Sequence, residues 1–190
     1  MGNEWDLNGA RPQNSKSFWS LESDPFVHIC LNHDLLGSKV QITYVLIKVT
    51  TSDHWQAYHE IRKKVLWENR GKQDYDNTHA DEFLPNHYPL LLLLNNTPIG
   101  TTRLDDFKGG YGAVRLVAIS DDFQGNGHGR QLSSLVEGYA RNLGIKTLYV
   151  NAAPEALGFY KKTGWEFYDW DVDELTGIAE DCRQMRKILI

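Results

Sequence analysis

The stretch from Val117 to Arg130, VAISDDFQGNGHGR, constrains the fold more than any other part of this chain. A strand ends at Ile119 and a short polar loop follows. Gly125, Gly127 and Gly129 then lead into residues 127–142, where Leu132, Leu135, Val136, Tyr139 and Leu143 recur at helical spacing. The chain must pass from strand to helix through a tight turn. The first N–H groups of a helix have no partner within it and point out along its axis, and the macrodipole adds positive potential there. Together they favour an anion, phosphate above all. Glycines at alternate positions keep Cβ atoms from blocking the approach, and Arg130 adds a cationic side chain. A glycine-rich turn without a ligand would carry the same local signals.

Two other phosphate motifs fail on spacing. A dinucleotide fold wants G-x-G-x-x-G beside the first strand with an acidic residue about 20 positions on. Here Gly125, Gly127 and Gly129 alternate and lie in mid-chain. A P-loop wants Lys-Ser or Lys-Thr directly after its glycines, and none follows.

The rest of the chain reads as strands and helices in alternation. Residues 42–49 are β-branched and predict a strand. Asp53 and Gln56 resemble a capping box, and Trp55, Tyr58, Ile61, Val65 and Leu66 continue a helix to about residue 69, with Gly71 as its stop. Residues 72–85 are polar and read mostly as loop. Residues 88–94 and 99–104 predict a hairpin about Asn95-Asn96-Thr97-Pro98. Residues 111–119 and 146–151 predict two further strands, and Pro154 opens a helix that runs to about residue 162. Residues 165–170 and 183–190 predict the last two strands. The sum is a mixed α/β sheet with helices on both faces, over residues 42–190. Residues 1–41 show no sustained period and predict an irregular N-terminal extension.

Composition narrows the function. A formal net charge of −5 argues against nonspecific nucleic-acid binding. The longest apolar run, residues 89–94, is far short of the roughly 20 residues that span a bilayer. The start of the chain lacks a secretory signal. Cys30 and Cys182 form no CxxC pair, and the histidines show no metal-ligand spacing, so neither a zinc site nor another metal is expected. A cytoplasmic setting is the expectation.

The pattern Gln124-x-x-Gly127-x-Gly129 after Val117-Ala118-Ile119 resembles the CoA signature of the GNAT superfamily of acyl-CoA-dependent N-acetyltransferases. The stretch from Asn151 to Trp165 resembles that superfamily's second motif, ending in Phe-Tyr-x-x-x-Gly-aromatic, with Trp165 where Phe is usual. The resemblance covers roughly residues 45–190. It implies a mostly antiparallel central sheet with a splayed strand pair, and acetyl-CoA as co-substrate. Val117 and Ile119 would contact pantetheine through the main chain, with Ala118 between them. Gln124, Gly125, Asn126, Gly127, His128, Gly129 and Arg130 would cradle the pyrophosphate. Asn151 would contact the cofactor or a bridging water, and Tyr160 would be the general acid for the departing thiolate. The implied acceptor is a primary amine on a small molecule. A protein lysine or N-terminus, or a CoA-binding module without catalysis, are the alternatives, and a homodimer is compatible with all of them.

No base for the amine stands out. Glu60, His79, Asp81, Glu82, His87 and Asp105 are candidates, while Arg115 is a poor one. Trp67, Tyr75, Tyr88, Trp165, Tyr168 and Trp170 are candidates for an acceptor pocket. The acidic run Asp169, Asp171, Asp173 and Glu174 reads as a solvated loop that would also attract a cation.

Overall fold

A computed structural model describes residues 27–35 and 38–189. Among them run eight strands: β1 (Val27–Leu35), β2 (Ser38–Lys48), β3 (His87–Leu94), β4 (Thr97–Lys108), β5 (Tyr111–Ile119), β6 (Thr147–Ala152), β7 (Glu166–Phe167) and β8 (Arg183–Ile188). Three α-helices, α1 (Ser52–Arg62), α2 (His128–Asn142) and α3 (Leu157–Lys162), accompany them. The strands form one sheet in the order β1-β2-β3-β4-β5-β6-β8-β7. Only β5 and β6 are parallel; every other neighbouring pair is antiparallel.

The run Leu90 to Leu93 explains how both faces are covered. Successive strand residues point to opposite faces. Leu90 and Leu92 join Leu46, Leu132, Leu135 and Val136 in the core beneath α2. Leu91 joins Ile47, Val49 and Tyr58 beneath α1. A strand buried on both sides must be apolar throughout, which is why this one shows no alternation. The β3–β4 hairpin turns on Asn95 and Asn96, with φ of 48° and 67°, a left-handed pair that Asn tolerates.

Several boundaries differ from the sequence expectations. The cap of α1 is Thr51, whose hydroxyl accepts from the His54 N–H at 3.3 Å, not Asp53. The helix continues through a π-turn over Lys63–Trp67 and a 3₁₀ turn over Glu68–Arg70, and stops at Gly71 with φ 70°. A strand over 165–170 shrinks to Glu166–Phe167. The irregular chain expected over 1–41 gives way within its described part to a hairpin in which Val27 pairs with Leu46 and Leu35 with Ser38. Residues 1–26 lie outside the described residues.

One irregularity positions the site. β5 pairs with β6 from Tyr111↔Thr147 to Val114↔Val150, and the ladder ends there. On the other side, the β4–β5 register jumps from Thr101↔Ala118 to Arg103↔Arg115. Leu116 and Val117 thus oppose the single residue Thr102, which is a bulge. Leu116 takes φ 54°, a conformation costing a side-chain-bearing residue roughly 1–2 kcal/mol. The Thr102 hydroxyl donates to the Arg115 carbonyl at 3.0 Å and satisfies an acceptor that the broken ladder leaves over. β5 and β6 therefore part just beyond Val114.

Candidate active site

A cleft of about 440 Å³ opens where β5 and β6 part. Val117, Asn151 and Tyr160, which are far apart in sequence, all line it. Asn151 sits near the end of β6, and its Oδ1 accepts from Gln184 Nε2 at 3.0 Å. Gln184 is itself buried, and its Oε1 accepts from the Trp170 and Asp171 N–H groups, each at 2.9 Å. The Asn151 carbonyl oxygen is thereby committed to the fold, and its amide NH₂ is the part left to serve a ligand.

Tyr160 is 6% exposed, with its ring edge-on to Phe159 and Trp165 at 5.3 Å and 5.4 Å. Adjacent helical residues point about 100° apart. Phe159 accordingly packs toward Gly129 while Tyr160 reaches the cleft. Burial pushes the Tyr160 hydroxyl well above its ordinary range, with the neighbouring Cys182 adding to the shift. The phenol keeps its proton.

Residues 124–130 continue past the end of β5 and are not part of the cleft lining. Gly127 caps α2 at φ 83° and Gly125 lies at φ 78°. The first helical bonds run from the Arg130 and Gln131 N–H groups to the Gly127 carbonyl, at 3.0 Å and 3.4 Å. The N–H groups of His128 and Gly129 precede them and have no intrahelical partner. A Cβ on Gly125 or Gly127 would meet no protein atom within 4 Å, and one on Gly129 would make only ordinary contact with Phe159. Packing within the protein does not require these glycines to lack side chains. What they keep clear is the space before the helix terminus, which fits a phosphate cradle.

Two polar side chains of this turn, Gln124 and Asn126, serve the loop itself. Gln124 Nε2 donates to the Ile119 carbonyl at 2.9 Å and to Asp121 at 3.1 Å. Asn126 donates to the Gln124 carbonyl at 3.1 Å. The Tyr44 hydroxyl and His128 Nδ1 share a hydrogen bond at 2.8 Å. Arg130 is exposed at the helix start, Ile119 is half-buried, and Ala118 is buried opposite Thr101. Any contact Ala118 makes to a ligand runs through its backbone.

The other half of the cleft holds the acceptor-side candidates. Asp81, His87 and Asp105 line it; Glu60, His79 and Glu82 do not. Glu60 is exposed and bonded to Gln56 at 2.8 Å. His79 caps a short 3₁₀ turn over Ala80–Phe83. Glu82 is buried between Arg62 (2.9 Å), Arg103 (3.0 Å) and the Tyr58 hydroxyl (2.9 Å). Burial alone would raise its pKa, but the two guanidiniums outweigh that and hold the carboxyl below its usual range. Asp105 receives Arg103 Nε at 2.7 Å and Arg115 Nε at 2.6 Å. His87 Nδ1 lies 2.6 Å from the Asp81 carbonyl and 3.6 Å from Asp105 Oδ1. Both neighbours only accept, so Nδ1 carries a proton toward them.

Of the aromatic residues expected in this pocket, Trp170 lines the cleft, and Trp165 packs behind Tyr160. Trp67 and Tyr75 pack on each other, Tyr88 packs on Tyr139, and Tyr168 stacks on Tyr149. The acidic run is not wholly solvated, because Glu174 turns inward to Arg115. This pairing joins residues 59 positions apart, and no local pattern announces it. Among the described residues no group of three or more His, Cys, Asp or Glu side chains is placed to hold a metal ion. No helix among them is long and apolar enough to cross a membrane.

Comparison with known proteins gives this site its family. A protein of Bacillus subtilis (strain 168), provisionally named an acetyltransferase, is 28% identical over 121 residues, 62% of this chain and 80% of its own length. The fold is shared with an acetyltransferase of the GNAT family from Staphylococcus aureus Mu50, at 14% identity and a TM-score of 0.64, over 77% of this chain and 99% of that one. It is shared too with an N-acetylglutamate synthase from Neisseria gonorrhoeae, complexed with coenzyme A and L-arginine. That match has 15% identity and a TM-score of 0.58, over 77% of this chain and 33% of that one. The sequence profile of the Acetyltransferase (GNAT) family matches residues 50–165, a span that takes in the parting strands, the glycine turn and Tyr160, and the chain belongs to that family of acyl-CoA-using N-acetyltransferases.

Proposed function

We propose that this enzyme moves an acetyl group from acetyl-CoA to a primary amine of a small molecule while both are bound. The observation that carries this reading is the single cleft in which Val117, Asn151 and Tyr160 meet. The amine nitrogen attacks the thioester carbonyl, the C–N bond forms and the C–S bond breaks. Backbone N–H groups near Val117, freed where β5 leaves β6, stabilise the charge that develops on the carbonyl oxygen. Tyr160 gives its proton to the departing thiolate. His87 Nε2 takes the proton that the amine must lose, and the resulting imidazolium faces Asp105. The N-terminus of α2, with Gly125, Gly127 and Gly129, holds the pyrophosphate. A reducing cytoplasm suits the free buried thiol of Cys182.

The test is release of free thiol from acetyl-CoA with a panel of amines. Tight CoA binding without thiol release from any amine would reassign the chain as a binding module. Release only with peptide substrates would move the acceptor to a protein.

Two results should accompany turnover. Gly127→Val should weaken acetyl-CoA binding by about 100-fold, measured by calorimetry. The branched side chain projects into the cradle and strains a backbone at φ 83°, at a cost of roughly 1–2 kcal/mol. Unchanged affinity would remove the pyrophosphate from this turn. The second result concerns pH. The acid works in its protonated form, which is lost only as pH rises through its folded pKa. Burial raises that pKa above the ordinary value. Turnover should therefore show no alkaline limb from Tyr160 between roughly pH 8 and 10. A limb in that range that disappears in Tyr160→Phe would contradict the burial argument.

A further inference from the structure

The acceptor half of the cleft contains a charge arrangement of which acetyl transfer uses only Asp105. Arg62, Arg103 and Arg115 meet Glu82 and Asp105, with all five side chains largely buried. Three guanidiniums face two carboxylates on this framework of α1, the 80–83 turn, β4 and β5. Two further carboxylates meet it from the rim, so that four carboxylates surround three guanidiniums. Asp81, 46% exposed, lies 3.5 Å from Arg103 Nη2. Glu174, 31% exposed, meets Arg115.

The Arg115 pairing has the form of a ligand contact. Asp105 fixes its Nε at 2.6 Å. Phe107 and Trp170 flank the guanidinium, with ring centres 5.9 Å and 5.6 Å away. The two Nη groups are left facing the cleft, and both reach the Glu174 carboxylate, Nη2 to Oε1 at 2.8 Å. An arginine fork held this way recognises a carboxylate by geometry as well as charge. Glu174 comes from a 3₁₀ turn over Val172–Glu174, in the loop between β7 and β8. Gln184 holds that loop at Asp171, and the Cys182 N–H holds it at the Ala179 carbonyl, 3.0 Å away. The turn between these anchors belongs to no strand, so its displacement would break no ladder pairing of the sheet. Exchanging one carboxylate for another on the fork leaves the buried charge balance unchanged, whereas a neutral or cationic group would not.

We infer that Glu174 and a carboxylate of the acceptor compete for the Arg115 fork, so that the acceptor is an amine that also bears a carboxylate, as a free amino acid does. The inference rests on the acetyl-transfer reading above. Arg115 and Tyr160 line the same cleft, so a short molecule can span from the fork to the place where the strands part.

Two measurements test it, and the first needs no turnover. N-acetylglycine, which has a carboxylate and no amine, is titrated calorimetrically into the CoA-saturated full chain. Glu174→Gln should bind it about tenfold or more tightly than wild type, because the internal competitor is gone. Arg115→Gln should lose the binding. Arg115→Lys, which keeps the charge beside Asp105 but not the fork, should lose most of it too. Equal affinity in wild type and Glu174→Gln, or undiminished binding by both Arg115 variants, overturns the inference. The second measurement compares thiol release with glycine and alanine against glycinamide and alaninamide. The acids should be preferred by about tenfold or more in kcat/KM, and Glu174→Gln should lower KM for the acids alone. Amides used as well as acids overturn the inference and leave acetyl transfer standing. If no amine releases thiol while Glu174→Gln still gains affinity for N-acetylglycine, the carboxylate site stands and the acetyl-transfer reading fails.

Discussion

Tyr160→Phe is expected to lower kcat by about 10²–10⁴-fold and to leave acetyl-CoA affinity nearly unchanged. The substitution keeps the ring that packs edge-on to Phe159 and Trp165 and removes only the hydroxyl. The buried core around α3 therefore loses no apolar contact, and the protein should fold as before. What disappears is a proton donor whose burial keeps it protonated across the working range. A thiolate leaving without that donor must wait for water. The predicted signature is a fall in kcat and kcat/KM together, the mark of an interaction made in the transition state rather than in substrate binding. Steady-state thiol release and a separate CoA titration would read the two quantities. Unaffected turnover would give the acid role to solvent. A matching loss of CoA affinity would instead make Tyr160 a binding residue.

The second large effect is on stability. Asp105→Ala is expected to cost about 3–5 kcal/mol, because Asp105 is a buried carboxylate shared by Arg103 and Arg115. It is 1% exposed and receives Arg103 through Nε at 2.7 Å and Nη2 at 3.1 Å, and Arg115 through Nε at 2.6 Å. Without it, Arg103 retains Glu82 and the rim carboxylate Asp81, and Arg115 retains only Glu174. The unpaired guanidinium N–H groups would stay in a region that water reaches poorly, and each uncompensated donor costs more than the lost pair contributed. Urea unfolding would show this as a lower midpoint with the slope preserved. A loss below about 1 kcal/mol would place the pair in the range of solvated surface ion pairs. The same variant disturbs the fork discussed above, so its kinetics cannot substitute for Glu174→Gln as a test of acceptor recognition.

How much of this was legible beforehand follows from the range of each signal. The glycine turn is local. A strand end, left-handed positions at Gly125 and Gly127, and an amphipathic helix over the next turns all lie within a few residues of one another. Residue types there report directly on backbone conformation. The same holds for Asn95 and Asn96 in the hairpin and for Gly71 at the helix stop. The split between Phe159 and Tyr160 follows from helical geometry alone. By contrast, Thr51 rather than Asp53 caps α1, because several polar residues in a row offer equivalent caps and packing selects among them.

What the sequence by itself determined is most of the elements from β2 onward, the glycine-rich turn before α2 and the resemblance that carries acetyl transfer, since each depends on residues near one another in the chain. Only the tertiary structure decided which charges meet. Arg103 finds Glu82 across 21 positions and Arg115 finds Glu174 across 59. Val27–Leu35 becomes a strand because β2 lies beside it to be paired. The strands part because Leu116 and Val117 face the single residue Thr102 on a neighbour. Each of these depends on a partner that closing a long loop brings near. Ion pairs and cross-strand contacts carry no periodicity along the chain, so an acidic run that reads as solvent-facing supplies Glu174 to the rim of the cleft.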